Sequence, residues 1–477
     1  MRIIHSIVLA SILTTLSVQA NDQELKDYIN SAIDDKLSGY NELKKENIEL
    51  NDRVDELEDY IDSVETRTLI DKINFGIGFN TAVNSYSKNY ADGHSKNSKN
   101  IYTTKLSLNM NSEITKNMKF SGRLSMYKYW ADSSIHNYAR YDNMQGRVPG
   151  TSALFVERAY VDWKFLDDNS YLPTVLTIGR QPSSDGPSHQ FKANTTRKAT
   201  YSALVFDGAS DGIVLTSSLK NVISLKDANI RLAYGKGFQN DETSPFATNA
   251  FLGADNSLKD TDVYGAFFES SLFDMSNTLF QVGFSQMSNI IANSLETKSS
   301  SNKNIGDATF VGIMFEGTDI KESGVDLFAH YSYVSSDPSH SIYSVMGQKF
   351  SLLGDGNDFS SKSADAFWLG GRYSFENSSK IGLEYNHGSK YWISATQGSF
   401  DLLNKLATRG DAYEAYYIYP INRNSFIRVG GVYIDYDYTH SSWFLGEPKK
   451  FDSLNENEAK GSIESVSNLY LNFGLNF

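Results

Sequence analysis

The last nine residues, "LYLNFGLNF" (Leu469–Phe477), alternate without a break. Leu469, Leu471, Phe473, Leu475 and Phe477 fall on one face, and Tyr470, Asn472, Gly474 and Asn476 on the other. Period-two alternation of this kind makes a strand with one apolar and one polar side. In a soluble sandwich the apolar side would meet a core; in a membrane barrel it would meet lipid. The rest of the chain decides between them.

The pattern returns throughout. "INFGIGF" sets Ile73, Phe75, Ile77 and Phe79 against Asn74, Gly76 and Gly78. "KFSGRLSMYKY" sets Phe120, Leu124 and Met126 opposite Arg123 and Tyr127, and "RAYVDWKF" sets Val161, Trp163 and Phe165 opposite Arg158, Tyr160, Asp162 and Lys164. Sixteen strands are expected, near 72–82, 101–114, 118–130, 154–166, 173–181, 204–217, 228–238, 261–272, 277–290, 306–317, 324–336, 365–376, 380–391, 411–420, 425–438 and 463–477. The connections alternate between short turns ("TKN", "FDMSN", "ENSS", "PINRN") and long polar loops at 85–100, 131–151, 239–259 and 337–363. A sandwich has no need of such lopsided loops, whereas membrane barrels carry short turns at one end and long loops at the other. The fold class is therefore an all-β transmembrane barrel of about sixteen antiparallel strands, covering 72–477, preceded by an α-helical coiled-coil segment.

That segment, 21–71, differs in kind. Leu43, Asn47, Leu50, Val54, Leu57, Ile61 and Val64 recur at alternating spacings of three and four, with Ile29, Ile33 and Tyr40 extending the seam. This is the heptad of a coiled coil, in which one seam Asn commonly fixes register; a single amphipathic helix packed on a neighbour is the alternative. The segment holds sixteen acidic and six basic side chains, against 41 and 37 beyond residue 71, so the acidity of the chain resides mostly here. Ahead of it, 1–20 has the form of a secretory signal: Arg2, then the apolar "IIHSIVLASILTTL", then small residues ending at Ala20.

Composition narrows the function. With 40% hydrophobic residues and mean hydropathy −0.39 the chain is no polytopic helical membrane protein. It has no cysteine, hence no thiolate nucleophile or thiolate metal site. An exported chain without a basic domain is a poor partner for nucleic acid. Two His-x-Ser groupings, His387 with Ser389 and His440 with Ser442 beside Ser441, raise a lipase, but no third group can be argued from spacing. "GDGND" (Gly354–Asp358) offers oxygen ligands for Ca²⁺, although a solvated turn is the simpler role. No metal, cofactor or enzymatic activity is expected.

The stretch "LTIGRQPSSDGPSHQFKANTTRKATYSALVFDGASDGIVL" (Leu176–Leu215), with its Gly-Arg-x-Pro, Gly-Pro and paired Asp-Gly elements, resembles Gram-negative general-diffusion porins. More narrowly, it is similar to uncharacterised porin-like proteins of epsilonproteobacteria that carry an N-terminal coiled coil. The terminal Phe473, Leu475 and Phe477 resemble the signal by which the barrel-assembly machinery recognises outer-membrane proteins. The resemblance implies a homotrimer in outer-membrane lipid, a periplasmic stalk that meets peptidoglycan in one reading, and passive diffusion of small hydrophilic solutes and ions. It also implies that the loop after the fifth strand, about 182–200, folds into the lumen with Asp185, Lys192, Arg197 and Lys198. Arg123, Arg158 and Arg180, on consecutive strands and the same polar face, would then form a basic ladder opposite Asp185; alternatively they pair with lumenal carboxylates such as Asp162 and stiffen the wall. A tether or adhesin displaying its loops is the competing function.

Overall fold

The computed structural model describes residues 22–71, 73–130, 154–208, 210–238, 259–272, 275–296, 299–345, 348–394 and 401–477. The signal segment 1–20, the loop 131–151 and most of the loop 239–259 lie outside the described residues. The chain divides into two compact units, one ending at Lys72 and one spanning Ile73–Phe477.

The first unit contains one helix, α1 (Asp22–Asp71), of 50 residues. At about 1.5 Å of rise per residue it measures roughly 75 Å. Leu43, Asn47, Leu50, Val54, Leu57 and Ile61 are exposed on the single chain. The side chain of Val64 lies outside the described residues.

The second unit is a closed ring of sixteen antiparallel strands among the described residues. In chain order they are β1 (Ile73–Tyr90), β2 (Ser95–Thr115), β3 (Met118–Tyr129), β4 (Phe155–Leu166), β5 (Thr174–Arg180), β6 (Asp211–Ser218), β7 (Asn229–Phe238), β8 (Thr261–Leu272), β9 (Met275–Glu296), β10 (Ser299–Gly317) and β11 (Val325–Pro338). A separate three-stranded sheet follows, β12 (Tyr343–Val345), β13 (Gln348–Ser351) and β14 (Gly354–Asp355), in the loop after β11. The ring resumes with β15 (Lys362–Ser374), β16 (Lys380–Gly388), β17 (Gly410–Asn422), β18 (Ser425–Tyr436) and β19 (Ile463–Asn476). Two short helices lie in loops: α2 (His189–Ala193) after β5 and α3 (Glu456–Gly461) before β19. Each ring strand pairs with its neighbour in sequence, and β19 returns to β1, from Gly78↔Asn476 to Tyr90↔Ile463. The terminal residue takes part: Ile77 N–H donates to the Phe477 carbonyl (2.8 Å) and Phe477 N–H to the Ile77 carbonyl (2.9 Å).

The outer face is apolar. Phe75, Leu383 and Leu469 are each more than 60% exposed, and Leu232, Val311, Ile313, Val429 and Leu471 are exposed with them. Tyr385, Tyr413 and Tyr433 stand directly opposite one another on β16, β17 and β18 on this same face. In water this surface would be a severe aggregation liability; in hydrocarbon it is the lipid contact, with aromatic rings toward the interface.

The structure corrects two expectations for the strands and loops. Residues 85–100 are not a loop: β1 and β2 continue as a ladder to a tight turn at Ala91–His94, because backbone pairing carries a polar ribbon without any apolar face. The sixth strand begins at Asp211 rather than 204. Ala203, Leu204 and Val205 are at most 3% exposed, packed inside the ring rather than against lipid. The interior is also not wet throughout. Lumen-facing Phe310, Met314, Phe328 and Trp368 on β10, β11 and β15 are no more than 4% exposed. With Phe191, Leu204 and Val205 from the loop after β5, and Leu352, Trp392 and Leu406 from other loops, most of them form one dry core filling that side of the lumen.

An arginine on the lipid face measures this arrangement. Leu469→Arg, midway along β19, is expected to lose about 2–4 kcal/mol of folding free energy in vesicles. A urea titration of folded fraction reads the loss, and stability within 0.5 kcal/mol of the parent would contradict a lipid-facing Leu469.

Candidate functional site

The loop from Gln181 to Ser210 leaves the low wall between β5 and β6 and turns inward, so its backbone must find partners in the lumen. The far wall supplies them. Glu316 accepts from Ser188 Oγ (2.8 Å) and Gln190 Nε2 (2.7 Å), and Ser202 Oγ lies 2.6 Å from His330 Nδ1. Gln281 exchanges bonds with the loop backbone, accepting from Ser202 N–H (3.0 Å) and donating to the Thr200 carbonyl (2.8 Å). Phe191 sits between the Phe328 ring (5.8 Å between centroids) and the Arg372 guanidinium (5.2 Å). Arg372 also donates to the Phe191 carbonyl at 2.7 Å. Gly312 permits this approach: a Cβ there would come within 2.2 Å of Val205 Cγ2.

The roots of the loop are held on the other side. Arg123 donates to Asn109 Oδ1 (2.8 Å) and Glu157 Oε1 (2.9 Å), and its Nη1 lies 3.4 Å from Asp185 Oδ2. Arg158 donates to the carbonyls of Ser184 and Lys198, while Ser125 and Ser184 hydroxyls donate to Glu157 at 2.6 and 2.8 Å. Arg123, Arg158 and Asp185 are thus brought together, with the two arginines and Glu157 buried as clamps rather than standing open to the lumen. Glu157 escaped sequence reading because a register shift between Arg123 and Leu124 turns two successive β4 residues inward. Asp162 lies further along β4 and accepts from Thr177 Oγ1 at 2.6 Å.

Arg180 is placed otherwise than expected. It pairs with Asp211 (2.9 Å) on the face that carries exposed Ile178 and Ile213. Asp211, Lys236 and Asp262 continue this outward row across β6, β7 and β8. The alternation of β5 assigns this side: Thr177 is buried inside, so Arg180 falls outside with Ile178.

Between the loop and the β1–β3 and β17–β19 walls lie three neighbouring cavities that share lining residues. The smallest of the three, the narrow part of the row, is a cavity of about 150 Å³ lined by Lys105, Asp185, Lys192, Lys198, Asp401, Lys405, Glu414 and Arg428, and by Asn80, Asn84, Asn468, Tyr470, Asn472 and Asn476. Here the polar face of the terminal strand becomes an amide wall opposite the loop. Toward the long loops it meets a vestibule of about 740 Å³, with Asp401, Leu402 and Leu403 lining both. Toward the short turns it meets a mouth of about 470 Å³, with Thr195, Lys198 and Asn476 lining both.

Five cations and three carboxylates border the narrow part. Glu414 binds both Lys192 (3.1 Å) and Lys405, Glu384 shares Lys405, and Asp401 pairs with Lys192. Burial works to raise the Asp401 carboxyl, but Lys192 beside it holds it well below the usual carboxylate range. Burial works to lower the Lys405 ammonium, but Glu384, Glu414 and Asp401 carry it above its ordinary value. Lys198, on the infolded loop, is pushed down to about 8 by burial, helped by Arg123, Lys105 and Arg158 and opposed by Asp185.

Other candidate chemistry is engaged elsewhere. His387 Nδ1 lies 2.9 Å from Asp411 Oδ1, while Ser389 Oγ accepts from the Asp365 N–H (2.9 Å). His440 and Ser442 both take left-handed backbone conformations in the turn closed by Trp443 N–H to the His440 carbonyl. In "GDGND", Asp355 accepts from Glu447 N–H (2.9 Å) and Asp358 pairs with Lys362 (2.8 Å), as in an ordinary turn. Among the described residues His387, Asp411 and Asp437 lie close enough for a metal, with ligand atoms within 4.8 Å, on the outward rim.

No curated protein matches the sequence. Among solved structures, the barrel is similar to an anion-selective porin from Comamonas acidovorans (TM-score 0.47, 9% identity, 85% of this chain and 99% of that one). It is likewise similar to Salmonella typhi OmpF in complex with daunomycin (0.47, 11%, 85% and 98%) and to Pseudomonas putida OprB (0.47, 10%, 87% and 96%). Residues 95–477 match the family described as "Protein of unknown function (DUF3373)", and the chain belongs to that family.

Proposed function

We propose that this chain is an outer-membrane channel for passive diffusion of small hydrophilic solutes, in which anions are favoured. The observation that supports it most is the succession of vestibule, narrow passage and mouth along one wall, beside a lumen otherwise filled by packed side chains. The apolar outer belt supports residence in a bilayer, and the outward Phe477 at the seam suits recognition by the barrel-assembly machinery. Lys105, Lys192, Lys198, Lys405 and Arg428 outnumber Asp185, Asp401 and Glu414, and an excess of one sign in a constriction lined by protein raises the local concentration of counter-ions. The amide wall orients permeating water and ions without adding charge. Passage needs no cofactor and no turnover.

The exposed seam of α1 favours self-association, which we read as three chains joined through a periplasmic coiled coil that reaches toward peptidoglycan. Because the chain has no cysteine, Leu57→Cys is expected to give cross-linked dimers on mild oxidation of native membranes, while Asp55→Cys, on the opposite face, gives none. Equal cross-linking at both positions, or none at Leu57→Cys, contradicts the seam.

Planar-bilayer recording of the purified full chain tests the channel. Stepwise conductance is expected, with a reversal potential in a salt gradient of the sign that marks anion preference. The Lys105→Gln/Lys198→Gln double variant should move it toward cations. Absence of conductance would leave the tether or adhesin reading.

pH provides a second handle. Lys198 is charged below about 8 and neutral above it, so anion preference should weaken between pH 7 and 9. That change should vanish in Lys198→Gln. A reversal potential unchanged across this range contradicts a titrating Lys198 in the passage.

A further inference from the structure

The vestibule has a character that passive sieving leaves unexplained. A water-filled antechamber needs only polar walls, yet this one is lined by Tyr86, Tyr90, Tyr129, Tyr436, Tyr438 and Trp443. Lys88 and Lys96 stand among them, with Lys88 Nζ 5.2 Å from the Tyr86 ring centroid and Lys96 Nζ 5.4 Å from that of Tyr90. Tyr90 is further stacked on His94 at 4.1 Å. Trp443, by contrast, is 44% exposed, and Tyr438 is half-buried on the same wall of the vestibule.

The backbone that carries Tyr438 and Trp443 is held by the fold. Tyr438 bridges to Lys450 through its backbone, and Trp443 lies in the turn that Arg409 organises. Arg409 is fully buried, and its guanidinium donates to the carbonyls of Trp392 (3.1 Å), His440 (2.9 Å) and Trp443 (2.8 Å). Aromatic side chains present flat faces to a cavity of about 740 Å³, within the size range of small-molecule sites, about 300–1,000 Å³. An aromatic face attracts a planar or ring-shaped solute, and a neighbouring ammonium attracts its negative charge. Below the vestibule the passage continues with an excess of cations.

We propose that the vestibule is a binding antechamber for small ring-bearing carboxylates, which stack on Tyr438 and Trp443, pair with Lys88 or Lys96, and then enter the narrow passage. This inference rests on the channel reading and names the solute class that the same path favours.

The test uses single channels of the full chain in KCl, with benzoate, acetate or glucose added on the loop side. Benzoate should interrupt the current at concentrations where acetate and glucose do not. Tyr438→Ala and Trp443→Ala should each raise the half-blocking concentration of benzoate roughly two- to tenfold, as expected for loss of one aromatic partner. Tyr438→Phe, which keeps the ring, should stay near the parent value and separates stacking from a folding defect. Equal effects of benzoate and acetate, or of Tyr438→Ala and Tyr438→Phe, overturn the antechamber while conducting steps leave the channel intact. Interruption by glucose as strong as by benzoate overturns the carboxylate assignment. Absence of conducting steps overturns both readings.

Discussion

Backbone amides and carbonyls in hydrocarbon have no water to turn to, so a sheet that crosses a bilayer must have no edge. Every other feature of this barrel follows from meeting that constraint. Sixteen strands pair around the ring, and the last closes on the first through thirteen register partners ending in reciprocal bonds between Ile77 and Phe477. Closure divides each strand's side chains by parity. One set must be compatible with lipid, and the other is enclosed whatever its chemistry. The stretch Leu469–Phe477 serves both purposes: its leucines and phenylalanines lie in the outer belt, while Tyr470, Asn472 and Asn476 line the passage.

Enclosure does not make an interior wet. The loop after β5 carries Phe191, Leu204 and Val205 across the lumen and buries them against Phe310, Phe328 and Trp368. Burying side chains of this size contributes about 1.5–3 kcal/mol each, enough to hold a loop that would otherwise be free to wander. Buried polar contacts then fix its orientation, with Glu316, Gln281 and Arg372 on one side and Arg123, Glu157 and Arg158 on the other. The loop is therefore a wall rather than a flap. It leaves the cavities on the β1–β3 and β17–β19 side, where the lumenal face is amide-rich and, among the described residues, the apolar clusters around Val432 and Phe426 are small.

The ring was legible in the sequence because period-two alternation is enforced at every lipid-crossing position, from Ile73–Phe79 to the C-terminus. What was not legible depends on contacts between distant residues. Residues 203–206 look like the start of a strand because the run is apolar; only the fold reveals that its partner is the far wall, not lipid. Phe310 and Met314 interrupt the polar parity of β10, as do Phe328 on β11 and Trp368 on β15, and apolar residues on both faces of neighbouring strands are the signal that marks a packed lumen. The bulge that turns Glu157 inward leaves no mark in the alternation, and Arg180 was misplaced by following charge rather than the parity of Ile178. The cations of the passage, Lys105, Lys405 and Arg428, come from three separated stretches that only ring closure brings together.

Because the chain lacks cysteine, single substitutions make the two faces directly readable. Leu469→Cys, Tyr470→Cys, Leu471→Cys, Asn472→Cys and Phe310→Cys, each in the full chain in vesicles, would be exposed to a charged, membrane-impermeant thiol reagent. Labelling at 470 and 472, with 469, 471 and 310 protected, is what a closed ring with a one-sided aqueous path requires. Labelling at 469 and 471 with 470 and 472 protected would invert the faces and contradict the account, and labelling of all five would contradict both the lipid belt and the dry core.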